Sequence, residues 1–138
     1  MDNVDSQTSS TFKMMREQGI GLVATVLLVV GLFLPFVSAL GFSVNYIETD
    51  DGKIVLAIAV FSAILFFLKR FAFAGIGGFV ALGIAGYDVY QALPTRNQFI
   101  TVDLELGAFI ICFSAFGMVC VGLVGVIMKT RQRQLQPI

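Results

Sequence analysis

Asp88 is the one acidic side chain inside any of this chain's hydrophobic runs, and no other residue is better placed to do chemistry. A charge at the centre of a bilayer costs about 2.5–3.5 kcal/mol, so a carboxylate kept there points to ion or proton transfer. Its neighbours place it nearer the edge. Tyr87 and Tyr90 flank it and Gln91 follows, an aromatic-belt pattern at headgroup level, with Arg96 and Lys53 as cations in the adjoining loops. The expectation is an interfacial ion pair drawn from Asp88, Arg96 and Lys53, with an ion or proton site as the competing reading. Glu48, Asp50, Asp51, Asp103 and Glu105 gather in the same two loops. Such an acidic face attracts cations weakly, and a solvated acidic surface is the simpler account.

The remaining inventory offers little else. The chain has no His, no Trp and two Cys, so the usual general base and most metal ligands are missing. Cys112 and Cys120 lie about 12 Å apart along one helix, too far to join, and read as apolar packing residues. Thr25, Ser62 and Ser114 are isolated hydroxyls expected to bond their own preceding backbone carbonyls. Gly75-Ile76-Gly77-Gly78 is followed by Phe79 instead of a Lys-Ser/Thr pair, which removes a phosphate cradle. Phe109, Phe113 and Phe116 form one helical stripe, the pattern of packing or acyl-chain contact. A non-enzymatic protein with no cofactor and no metal is expected. Basic residues occur only at the ends of hydrophobic runs, so nucleic acid is discounted as a partner.

These residues must be positioned by membrane helices. The 138-residue chain is 57% hydrophobic and 13% charged, against roughly 25% charged in soluble proteins. Mean hydropathy is +0.90. The pattern predicts an all-α integral membrane protein, a bundle of four transmembrane helices with short loops. Residues 1–18 form a polar tail or short interfacial helix, 19–128 the transmembrane domain and 129–138 a second tail. The spans fall at about 20–40, 52–70, 71–90 and 106–128. Pro35 lies in the last third of the first span and is expected to bend it. Val37-Ser38-Ala39 resembles a signal peptidase site, but the apolar run exceeds a signal core of about 7–15 residues, so cleavage is not expected.

Lys69-Arg70 alone separates the second and third spans, which predicts a tight antiparallel hairpin. Phe42, Val44 and Tyr46 alternate with polar residues, as do Val102, Leu104 and Leu106, so the two outer loops are placed to pair as a small two-stranded β-ribbon. Gly77, Ala81 and Ala85 recur every four residues, with Gly78 and Gly86 one position round. Small residues at that spacing form a helix-packing face, used within the monomer or against a second copy. Phe61-Ser62-Ala63 and Phe113-Ser114-Ala115, 52 residues apart, hint at a duplicated hairpin.

Seven of the nine basic residues fall on one side of this four-span arrangement, leaving Lys53 and Arg96 on the other. Both termini are therefore expected in the cytoplasm, in a bacterial inner membrane. Small multidrug transporters use a glutamate within the first helix, and the first span here has no charge. Claudin-like proteins need a tryptophan motif and a cysteine pair in the first loop, and this loop has neither. The expected role is an accessory or assembly subunit whose partners are the lipid bilayer and another membrane protein or a second copy. The alternatives are an oligomeric channel or transporter using Asp88 and the acidic loops, and an immunity or regulatory protein acting through its outer loops.

Overall fold

Six glycines with little or no room for a side chain set the register of the helices. In the computed structural model, which describes residues 2–92 and 102–135, α1 (Asp2–Phe33), α2 (Asp50–Phe67), α3 (Phe71–Ala92) and α4 (Leu106–Gln134) pack as an antiparallel ring. Gly21 lies on the Phe66 ring, pairing α1 with α2, and Gly77 lies on Ser62, pairing α2 with α3. Gly75 meets Gly122, and Gly78 meets Met118, pairing α3 with α4. Gly31 against Ile111 returns α4 to α1. Small residues at these places let the backbones approach closely and gain van der Waals contact.

Three of these helices are long and apolar enough to cross a membrane: Thr11–Phe33 within α1, Phe71–Ala92 and Leu106–Gln134. At about 1.5 Å per residue the 22 residues of α3 cover about 33 Å. The 18 residues of α2 cover about 27 Å, but its first turn carries Asp50, Asp51 and Lys53, which leaves a shorter apolar stretch. Only 28%, 22% and 39% of the three apolar windows is buried inside the protein. Phe61, Phe67, Phe73, Phe79 and Phe113 all point outward.

The first helix ends at Phe33, short of the expected 20–40 span, and Pro35 opens a strand where a bent helix was expected. The reason is local. Proline disfavours the helical region for Leu34 before it and has no N–H to offer the preceding turn. The β-branched and aromatic run that follows then pairs as a strand. At its other end α1 continues unbroken from Asp2, so the expected N-terminal tail is helical, and α4 likewise runs through Arg131 and Arg133 to Gln134.

One end of the bundle is closed by a three-stranded antiparallel sheet of order β2-β1-β3, made of β1 (Pro35–Ala39), β2 (Phe42–Asn45) and β3 (Val102–Leu104). The two outer-loop strands, expected to pair with each other, instead flank β1, the piece taken from the end of the first span. Leu40 (φ 54°) and Gly41 (φ 82°) make the two-residue turn between β1 and β2 with both residues left-handed, as the twist of a tight hairpin requires. Leucine is an unfavourable choice there by roughly 1–2 kcal/mol. At the opposite end, the α2–α3 turn closes with Lys69 N–H on Phe66 O (3.0 Å) and Arg70 N–H on Leu65 O (2.8 Å), with Lys69 left-handed (φ 57°).

The interior is filled by Leu28, Leu32, Phe66, Ile111 and Met118 around small residues. Thr25 Oγ1 donates to the Gly21 carbonyl (2.9 Å), as expected. Ser62 and Ser114, for which the same bond was expected, are buried with no hydrogen-bond partner among the described residues. Two strands precede α2 and one precedes α4, so the two hairpins differ in what leads into them.

Candidate functional site

The site at the sheet end is built on a turn that leaves no room for a side chain. Thr49 is the N-cap of α2: its Oγ1 accepts from Gly52 N–H (2.9 Å) and donates to the Tyr46 carbonyl (2.7 Å). This folds the 3-10 turn Tyr46–Glu48 against the first turn of the helix. A Cβ on Gly52 would collide with the Tyr46 carbonyl, so the turn requires glycine. Asp50 and Asp51, in that first turn, sit favourably at the positive end of the helix dipole.

The turn drives Tyr46 inward, to 1% exposure, although it directly follows a strand whose residues are mostly exposed. A bulge between Pro35 and Val37 turns Phe36 the same way, and its ring packs on Tyr46 with centroids 4.4 Å apart. The Phe36 carbonyl accepts from Glu105 N–H (3.0 Å), tying the start of α4 to β1. Gly107 lies against the Pro35 carbonyl, so α4 begins directly on β1.

The Tyr46 hydroxyl donates to Asp88 Oδ2. Asp88 lies one turn from the end of α3, half-buried, and a cup of about 210 Å³ between Tyr46, Asp51, Asp88 and Ala92 opens beside it. Burial pushes the Tyr46 phenol above its ordinary value, and its bond to Asp88 and that carboxylate's charge push the same way. Two carboxylates from different helices thus converge on a buried phenol. This arrangement can hold a shared proton or attract a small cation, and it also ties the sheet to the end of α3.

Of the three groups expected to form an ion pair, Asp88 accepts from Tyr46 and Lys53 lies beside Asp50. Lys53 Nζ lies 3.0 Å from Asp50 Oδ1, both groups exposed, and a pair of that kind contributes little. Arg96 lies outside the described residues. Of the acidic loop residues, Asp51 joins Asp88 at the cup, Glu48 and Asp50 are exposed, Glu105 is the N-cap position of α4, and Asp103 belongs to β3. The described residues contain no cluster of three or more metal-ligating side chains.

The expected helix-packing face divides between two neighbours. Gly78, Ala81 and Ala85 are buried, Gly77 faces Ser62 of α2, and Gly86 meets open space. Tyr46, Phe36 and Thr49 were the residues that sequence alone did not single out. Thr49 before Asp50-Asp51 is a helix-start signature and was legible, whereas nothing in the local pattern links Tyr46 to a carboxylate 42 residues away. Phe109, Phe113 and Phe116 all face outward, and the first two edge an apolar groove of about 640 Å³ on α4. Comparison with protein-family models, with curated proteins and with solved structures finds no match.

Proposed function

We propose that the protein is a non-enzymatic integral membrane bundle of four helices, with both termini cytoplasmic and the sheet outside, acting as an accessory or assembly subunit for another membrane protein. The observation that carries the reading is where apolar and polar groups lie. The outward faces of the helices are phenylalanine-rich and largely unburied. The interior is closed by Leu28, Phe66, Ile111 and Met118, and between the ends of the helices its buried polar side chains among the described residues are Thr25, Ser62 and Ser114. Such an interior offers no polar path through a single copy, and Asp88 sits at one end of it.

Because Gly78, Ala81 and Ala85 are occupied within the bundle, a partner meets other surfaces. The edge strand β2 is suited to this: it pairs with β1 on one side, and Phe42 and Leu40 project from its end at 79% and 73% exposure. Mild-detergent purification of the full chain should recover a protein in fixed stoichiometry, and recovery should fall in Phe42→Ser. Elution of the chain alone under every mild condition opposes this role.

One specific observation favours a second reading. The cup shared by Asp51, Asp88 and Tyr46 supports a cation or proton site in an oligomeric channel or transporter. Ion flux in proteoliposomes that disappears in Asp88→Asn would select it over the accessory role. An immunity role rests on the acidic loops alone, and neutralising Glu48, Asp50 and Asp51 together tests it.

A further inference from the structure

The end of the bundle opposite the sheet carries a concave basic surface. Lys69 and Arg70 from the α2–α3 turn and Lys129 and Arg133 from the last turns of α4 border one cavity of about 640 Å³ that, among the described residues, no acidic side chain lines. All four side chains are exposed, so none is consumed by burial elsewhere. The cavity shares Ala72 and Val126 with a second, almost wholly apolar groove of about 380 Å³ that runs along the α3–α4 seam. That groove exists because Gly75 and Gly122 lie backbone to backbone at its floor. Cationic cup and apolar furrow are thus continuous, in the order headgroup then acyl chain.

The geometry points to a binding site for an anionic phospholipid, its phosphate among Lys69, Arg70, Lys129 and Arg133 and one acyl chain along the α3–α4 furrow. The inference rests on the membrane reading above and deepens it. Scattered basic residues at helix ends would satisfy orientation alone, but here two separate connections converge on one cavity with an apolar exit. Lys69 adds to this. It occupies the left-handed position that ends α2, where glycine is the usual residue, so a cation is kept at a site whose backbone favours its absence.

The test uses the full chain in detergent, titrated with phosphatidylglycerol, with phosphatidylcholine, with glycerol phosphate and with inorganic phosphate, and read by native mass spectrometry. The intact protein is expected to retain phosphatidylglycerol in preference to phosphatidylcholine. Each cation near a headgroup contributes roughly five-fold, so Lys129→Gln/Arg133→Gln should lower that preference about 25-fold. Lys69→Gly should raise thermal stability while lowering lipid preference, a combination that a purely structural lysine would not give. Ala72→Phe, at an exposed position shared by cup and groove, should weaken the lipid but leave any glycerol phosphate binding intact. Equal retention of the two lipids, or preference unchanged in both charge variants, overturns the site. Saturation by inorganic phosphate at the lipid's concentration makes it a free-phosphate site and overturns the lipid assignment. If the membrane reading itself is wrong, the chain will fail to co-float with vesicles of either lipid. If only the lipid site is wrong, it will co-float with both without preference.

Discussion

Replacing Tyr46 by Phe removes one oxygen and nothing else. The ring stays buried on Phe36, so no cavity opens, and the loss isolates the bond to Asp88. Hydrogen bonds to charged groups contribute about 1.5–3 kcal/mol, and half-buried Asp88 can recruit water, so the lower end applies, about 1.5 kcal/mol. In a chain of this size that lowers Tm by about 3–6 °C. Asp88→Asn keeps an acceptor for the phenol and should cost less than half as much, whereas Asp88→Leu strands a fully buried hydroxyl and should cost more. Thermal unfolding of the purified chain in one detergent provides the comparison, with Tyr46→Phe/Asp88→Leu, which removes both partners, completing a double-mutant cycle. A coupling of about 1 kcal/mol is expected, and additive single effects would refute the bond as a tie between sheet and α3.

The same phenol sets an alkaline limit: with its folded value raised, the contribution is intact below about pH 10 and lost above it, by up to about 1.4 kcal/mol per pH unit. Tyr46→Phe should remove that slope, which pH-dependent melting reads directly. Gly52→Ala would place a Cβ on the Tyr46 carbonyl; we expect a loss of at least about 2 kcal/mol, with tyrosine fluorescence reporting a displaced Tyr46. Gly122→Ala should cost about 1–3 kcal/mol by forcing α3 from α4, while Gly83→Ala, which meets open space, should gain about 0.5–1 kcal/mol; equal effects in thermal melts would contradict the packing. Leu40→Asn should stabilise by about 1 kcal/mol because asparagine tolerates the left-handed turn, and an unchanged Tm would mean the turn differs.

What the sequence revealed follows from which interactions are local. The starts of α3 and α4 were legible at Phe71 and Leu106 because uniform apolar runs follow Lys69-Arg70 and Glu105 there. The end of α1 was misplaced because hydropathy cannot separate a strand such as Pro35–Ala39 from the tail of a span, although Pro35 itself carried the signal. The same error hid the central strand, so two flanking strands were expected to pair directly. Asp88 was visible as a charge among apolar residues, but its partner was not. Tyr46 reaches it through a 3-10 turn, a Thr49 cap and a β-bulge at Phe36, none of which leaves a periodic trace.

Helices that cross a bilayer as proposed put the sheet and the basic turn on opposite sides. Cysteine accessibility measures this most directly, with Cys112 and Cys120 replaced by Ala and single cysteines introduced as Ser43→Cys in β2 and Gln134→Cys at the end of α4, both exposed positions. An impermeant maleimide should modify Ser43→Cys in intact cells and reach Gln134→Cys only after permeabilisation. Equal modification of the two sites in intact cells would contradict it.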